Sequence, residues 1–183
     1  VFDPAGANLG LTSLGHTGSD HAAAIWYRAH GTAGGTGIFR VTPSATAHRI
    51  AVSVTEWTDV DQTTPMDGFT GSGTVSGTNP SRSVTSRNGD LVVDAILSRH
   101  ALTVGAGQTQ QMNATIVAGF IGGSSSEAST GTSVAMSWTK ASGYYGHAAG
   151  NLRTDTGGGG RTTKNTRSQP LGMEIGMNWQ TPL

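Results

Sequence analysis

The chain has 183 residues, no cysteine, as many acids as bases, and only 12% charged residues beside 28 glycines. That length fits one domain able to bury a core without staples, and the missing cysteines exclude a disulfide framework, a thiol nucleophile and cysteine-ligated zinc. The basic residues are scattered, so no footprint for a polyanion exists and nucleic acid is not an expected partner.

Apolar residues recur with period two in short segments separated by Gly, Ser, Asn and Pro, which predicts strands. In chain order the clearest are AAAIWYRAH (22–30), TGIFRVTP (36–43), HRIAVSVTEW (48–57), DLVVDAILSRH (90–100), QMNATIVAGF (111–120), TSVAMSWTK (132–140) and LGMEIGMNWQ (171–180). Weaker candidates are LGLTSLG, FTGSGTVSG and SRSVTS. In 48–57, Ile50, Val52 and Val54 share one face while Ala51, Ser53 and Thr55 share the other, as in a strand buried on one side. In 90–100, Leu91, Val93, Ala95 and Leu97 fall on one face and Val92 and Ile96 on the other, with Asp94 between them. That pattern predicts a central strand covered on both sides. Between two candidate strands, SRNGDL carries Asn88-Gly89, the signature of a tight primed hairpin turn. Trp138 is in phase with Val134 and Met136, and Trp179 with Met173, Ile175 and Met177, which assigns both indoles to the core.

No segment joins a 3.6-residue period to good helix formers. The expected fold is all-β: an antiparallel, jelly-roll-like β-sandwich of about eight to ten short strands in a single domain over 1–183. One stretch departs from the pattern. GNLRTDTGGGGRTTKNTRSQP (150–170) has four consecutive glycines, four basic residues and almost nothing to bury, and is expected to be a flexible or partner-ordered insertion. No apolar run reaches the roughly 20 residues that span a bilayer. The chain opens on VFDPAGANLG rather than on a charged segment followed by an apolar one, so any leader is expected to be absent or removed.

Chemistry is sparse. EWTDVDQTTPMD places Glu56, Asp59, Asp61 and Asp67 beside Trp57, and paired carboxylates can cleave glycosidic bonds. Asp and Pro in that spacing also make turns, and the corner reading outweighs an active site. The DxDxDG spacing of a calcium loop is missing. None of the histidines, His16, His21, His30, His48, His100 and His147, makes an HExxH pair, and His16 and His21 in GHTGSDH are expected to be solvated loop residues rather than metal ligands. No GxSxG elbow supports a serine nucleophile. Among the aromatics, Tyr144 and Tyr145 sit between glycines as the best exposed pair, with Trp57 as a further member of a glycan platform.

The succession IWY, AVSVTEWTDVDQTTPMD, SVTSRNGDLVVDAI, LTVGAGQTQQMN and VAMSWTKA resembles a recurrent β-sandwich module. It is similar to concanavalin-like and jelly-roll sandwiches of bacterial secreted proteins and phage structural proteins. The resemblance covers 22–140, with 171–180 as a closing strand, and its most specific pieces are VDQTTP (60–65), NGDLVVD (88–94) and VGAGQTQ (104–110). It implies that VDQTTP is a strand exit and that the module is non-catalytic. Such modules carry further strands upstream and lack the 150–170 insertion. A sandwich short of one strand leaves an open edge and an uncovered face, to be filled by the chain itself or by a neighbour.

The expectation is a non-enzymatic structural or interaction protein of an extracellular assembly, in a phage particle or a bacterial surface layer or filament. It would have no catalytic residues, metal or cofactor. Its partners would be copies of itself or neighbouring subunits, outside the cell or on a virion surface. The alternative is a carbohydrate-binding sandwich using Tyr144, Tyr145 and Trp57 on surface glycans. A glycosidase built on Glu56–Asp67 stands last.

Overall fold

A computed structural model describes residues 10–18, 21–29, 51–117 and 119–155. The predicted strands at 36–43 and 171–180, and the insertion from 156 onward, lie outside the described residues.

Ten strands and no helix occur among the described residues. They are β1 (Thr12–His16), β2 (Ala24–Tyr27), β3 (Met66–Gly77), β4 (Ser81–Thr85), β5 (Leu91–Ser98), β6 (Thr103–Val104), β7 (Thr109–Val117), β8 (Phe120–Ala128), β9 (Ser133–Thr139) and β10 (Gly143–Leu152). All pairings are antiparallel. A five-stranded sheet runs β3-β10-β5-β8-β7, a three-stranded sheet runs β4-β9-β6, and β1 and β2 form a separate hairpin.

The two larger sheets are sewn together by the alternation read from the sequence. On β5 the buried residues are Val92, Asp94, Ile96 and Ser98, while Leu91, Val93, Ala95 and Leu97 are half-buried on the opposite face. Val92 and Ala149 pack against Val84, Val134 and Met136 of the smaller sheet, and Ile96 and Tyr145 pack against Leu102 and Trp138. Trp138 is 1% exposed, as its phase with Val134 and Met136 requires. Burying one such side chain contributes about 1.5–3 kcal/mol.

The outer face of the five-stranded sheet is covered by the chain itself. The β1–β2 hairpin lies over β3 and β10 where glycines remove the obstacle of a Cβ. A methyl on Gly146 would run into the carbonyl of His21, and one on Gly73 into the backbone of Gly18. Further along, Ala51 lies over Gly122 and the Ser124 hydroxyl donates to that of Ser53 at 3.0 Å. That face is thus roofed by a hairpin and by the 51–53 segment.

Three local expectations are corrected. Residues 51–57 of the predicted strand 48–57 form no ladder, and Val54 is 45% exposed instead of buried, because that segment crosses the sheet as a cover. The Asn88-Gly89 turn exists, with Asp90 N–H donating to Arg87 O at 3.0 Å, but only Gly89 has positive φ and the turn links β4 to β5 in different sheets. It is a corner between layers rather than a hairpin. The predicted strand 111–120 is the end of β7 and the start of β8, folded back at Gly119 with φ 78°.

Candidate functional site

Two buried polar clusters sit on the face that β5 and β10 turn toward the smaller sheet, one midway along the strands and one at their end. The first centres on Asp94, the one acid in the apolar run of β5. Its Oδ1 accepts from the backbone N–H and the hydroxyl of Ser125, both at 2.7 Å. Its Oδ2 accepts from the indole Nε1–H of Trp138 at 2.7 Å and from Nε2–H of His147 at 2.9 Å. Both Asp94 and His147 have 0% side-chain exposure. Four donors saturate the carboxylate and tie β5 to β8, β10 and, through Trp138, the opposite sheet. Both side chains are buried, and through these bonds the pair braces the sandwich.

The second cluster gathers at the far end of β10. Asp90, 4% exposed, accepts from Arg87 N–H at 3.1 Å, Thr154 N–H at 3.1 Å, the Thr154 hydroxyl at 3.3 Å and Asn151 Nδ2–H at 2.9 Å. Burial works against its charge, but the donors Asn151, Thr154 and Arg87 outweigh it and hold the carboxyl below the ordinary aspartate range. Asn151 Nδ2 also donates to Asp67 Oδ1 at 2.9 Å. With both amide hydrogens committed to carboxylates, the orientation of the Asn151 amide is fixed. Its Oδ1 is buried and has no hydrogen-bond partner.

A cleft of about 220 Å³ borders this cluster, lined by Asp67, Gly68, Thr85, Ser86, Arg87 and Asn151. At its rim Arg153 reaches Asp61 at 3.5 Å and Asp67 at 3.9 Å. Backbone N–H groups of Thr64 and Thr63, with Arg153 and Arg87 nearby, hold the Asp61 carboxyl below its ordinary range against a small opposing effect of burial.

The stretch Glu56–Asp67 therefore divides. Asp59 adopts φ 58° and its carbonyl accepts from Asp155 N–H at 2.9 Å, Val60 bridges to Thr154, and Asp61 caps a turn through Thr63 and Thr64 at 2.8 and 3.0 Å. These residues make a corner, as Asp-Pro spacing predicts. Asp67 alone enters the cleft. Among the described residues no group of three His, Asp or Glu side chains is placed to hold a metal ion.

The aromatic candidates separate as well. Tyr144 is 49% exposed, whereas Tyr145 is 6% exposed and packs in the core against Trp138. Tyr144 meets the ring of His21 at 5.8 Å, His21 stacks on Phe120 at 5.8 Å, and the Arg99 guanidinium lies 5.0 Å over Phe120. Trp57 stands apart, with its indole N–H on Thr55 Oγ1 at 3.0 Å. His21 is buried, not solvated as expected, because it belongs to the cover of the sheet, and His147 is buried on β10. Sequence reasoning missed Asn151 altogether, since it fell in the stretch read as an insertion, and nothing in its neighbours marks it. No known protein family, characterised protein or solved structure matches this chain.

Proposed function

We propose that the protein is a non-enzymatic structural and interaction component of an assembly outside the cell, with a phage particle or a bacterial surface layer or filament as its setting. The observation that carries this reading is the aromatic patch around Tyr144. Its half-exposed ring and the neighbouring Arg99 rest on a buried His21–Phe120 stack, so both side chains are held rigidly at the surface. Tyr and Arg on a stiff, desolvated base are the residues that dominate protein–protein contacts. Trp26, 55% exposed on β2, adds a second large aromatic surface. The buried Asp94 supports the same reading, because its carboxylate spends its hydrogen bonds on Ser125, Trp138 and His147 of the frame. The resemblance to non-catalytic sandwiches of phage and secreted proteins supports it from the side of the sequence.

Light scattering of the chain across a concentration series tests the reading. Self-association is expected, weakened at least tenfold by Tyr144→Ala with the melting temperature kept. A chain that stays monomeric throughout and docks on no neighbouring subunit overturns it.

The carbohydrate-binding alternative keeps one supporting observation, which is the cleft beside Asn151 rather than the Tyr144–Tyr145 pair.

A further inference from the structure

The register of β10 against β5 gives the sandwich two ends. Tyr145 faces Ser98 at one and Leu152 faces Leu91 at the other, which sets them about 23 Å apart along the strand. Charge is divided between these ends. Asp67, Asp90 and Glu127 each adjoin in sequence a residue level with the Leu91–Leu152 pair. Asp59, Asp61 and Asp155 lie beyond it, where Val60 bridges to Thr154 and Asp61 N–H donates to Arg153 O. The bases Arg87 and Arg153 stand among these acids, Arg153 on Asp61 and Asp67. At the other end Arg99 follows β5 directly, and the Lys140 ammonium donates to the carbonyls of Gly77, Ala141 and Gly143. No acid accompanies them there among the described residues.

Folding gains little from this division, because charges about 23 Å apart across water lie beyond two Debye lengths of physiological salt, each about 8 Å. Two molecules in contact gain from it at once. The Arg99 end is also the aromatic one: Tyr144 and the exposed Arg99 stand over the His21–Phe120 stack. A patch that met itself across a two-fold axis would gather the Arg99 and Lys140 charges of both copies with no described acid between them. Meeting the far end of another copy instead brings Arg99 to the exposed side chains of Asp59 and Asp155.

We propose that copies of this chain join head to tail, the Tyr144 and Arg99 patch of one docking on the corner of the next that carries Asp59 and Asp155. Such a contact is heterologous, so it propagates into a filament or closes into a ring. It rests on the self-association proposed above and adds a direction and a second surface to it.

The test mixes two variants of the full chain and follows their mass by light scattering. Arg99→Glu reverses the head, and Asp59→Asn combined with Asp155→Lys disables the tail, Asn being tolerant of the φ of 58° at position 59. Each variant alone is expected to associate at least tenfold more weakly than the wild type, with its melting temperature kept. Mixed in equal amounts they are expected to form a heterodimer that grows no further, since one intact head and one intact tail remain between them. Three results overturn the proposal while leaving self-association standing: a tail variant that associates like the wild type, which means that the patch meets itself; a head variant that does so, which removes Arg99 from the contact; or a mixture that stays monomeric. A wild-type chain that is monomeric at every concentration overturns both readings.

Discussion

The Asp94 and Asn151 clusters are built from the same materials and finish differently. Each has an aspartate on or next to β5 that takes four donors, and a side chain of β10 bonded to it at 2.9 Å. Around Asp94 the donors come from two strands of one sheet and from the indole of the other, and the carboxylate is closed off at 0% exposure. Around Asn151 a second carboxylate, Asp67, replaces the donor from the facing sheet and leads out to a cleft. One polar cluster fastens the layers and the other borders a cleft, and each holds one buried side-chain atom without a partner, Nδ1 of His147 and Oδ1 of Asn151. A buried polar group in a β-sandwich thus does not by itself announce a site. What distinguishes them is whether the cluster borders a cleft.

The comparison is broken most severely by removing Asp94. Asp94→Ala leaves the Trp138 indole, His147 and Ser125 without their acceptor inside the core, and a loss of roughly 3–5 kcal/mol is expected from urea denaturation. A loss below 1 kcal/mol would mean that the cluster does not hold the sheets together.

Acid separates the clusters next. The Asp90 carboxyl is held below its unfolded value near 3.8, so its charged form favours the folded state. Its contribution is complete above that value and drains away as pH falls toward the lower folded pKa. The melting temperature of the wild-type chain is expected to fall more steeply below about pH 4 than that of Asp90→Asn, which cannot titrate there. Parallel acid limbs for the two proteins would show that Asp90 gains nothing from its donors.

The smallest effect is expected at the rim. Asp67→Ala removes one of two acceptors from Asn151 Nδ2 while Asp90 retains the other, costing about 1 kcal/mol in thermal melts. A cost as large as that of Asp94→Ala would make Asp67 a brace like its buried counterpart.

Much of the frame was legible because period two is a local property. The alternation in β5 and β9 sorts Val92, Ile96, Val134, Met136 and Trp138 to the core, and those residues are there. β10 escaped, since GYYGHAAGNL pairs small residues with aromatics and shows no apolar alternation, although eight of its ten residues are buried. Alanine and glycine are buried there by the close approach of the β1–β2 hairpin, which is a fact about a distant part of the chain. The 48–57 stretch failed in the opposite sense: it has a strand's alternation, but residues 51–57 have no ladder partner.

The amino-acid sequence by itself determined that this is an all-β protein with a central strand at 91–98, an indole in the core and a turn at Asn88-Gly89, because each depends on side-chain period or on backbone preference within a few residues. Tertiary structure alone decided that Asp94 meets His147 across 53 positions, that Asn151 lies between Asp67 and Asp90 at separations of 84 and 61, and that an amide oxygen is left over beside a cleft. Hydrogen bonds between side chains so far apart follow from strand order and register, and those are set by the packing of whole sheets.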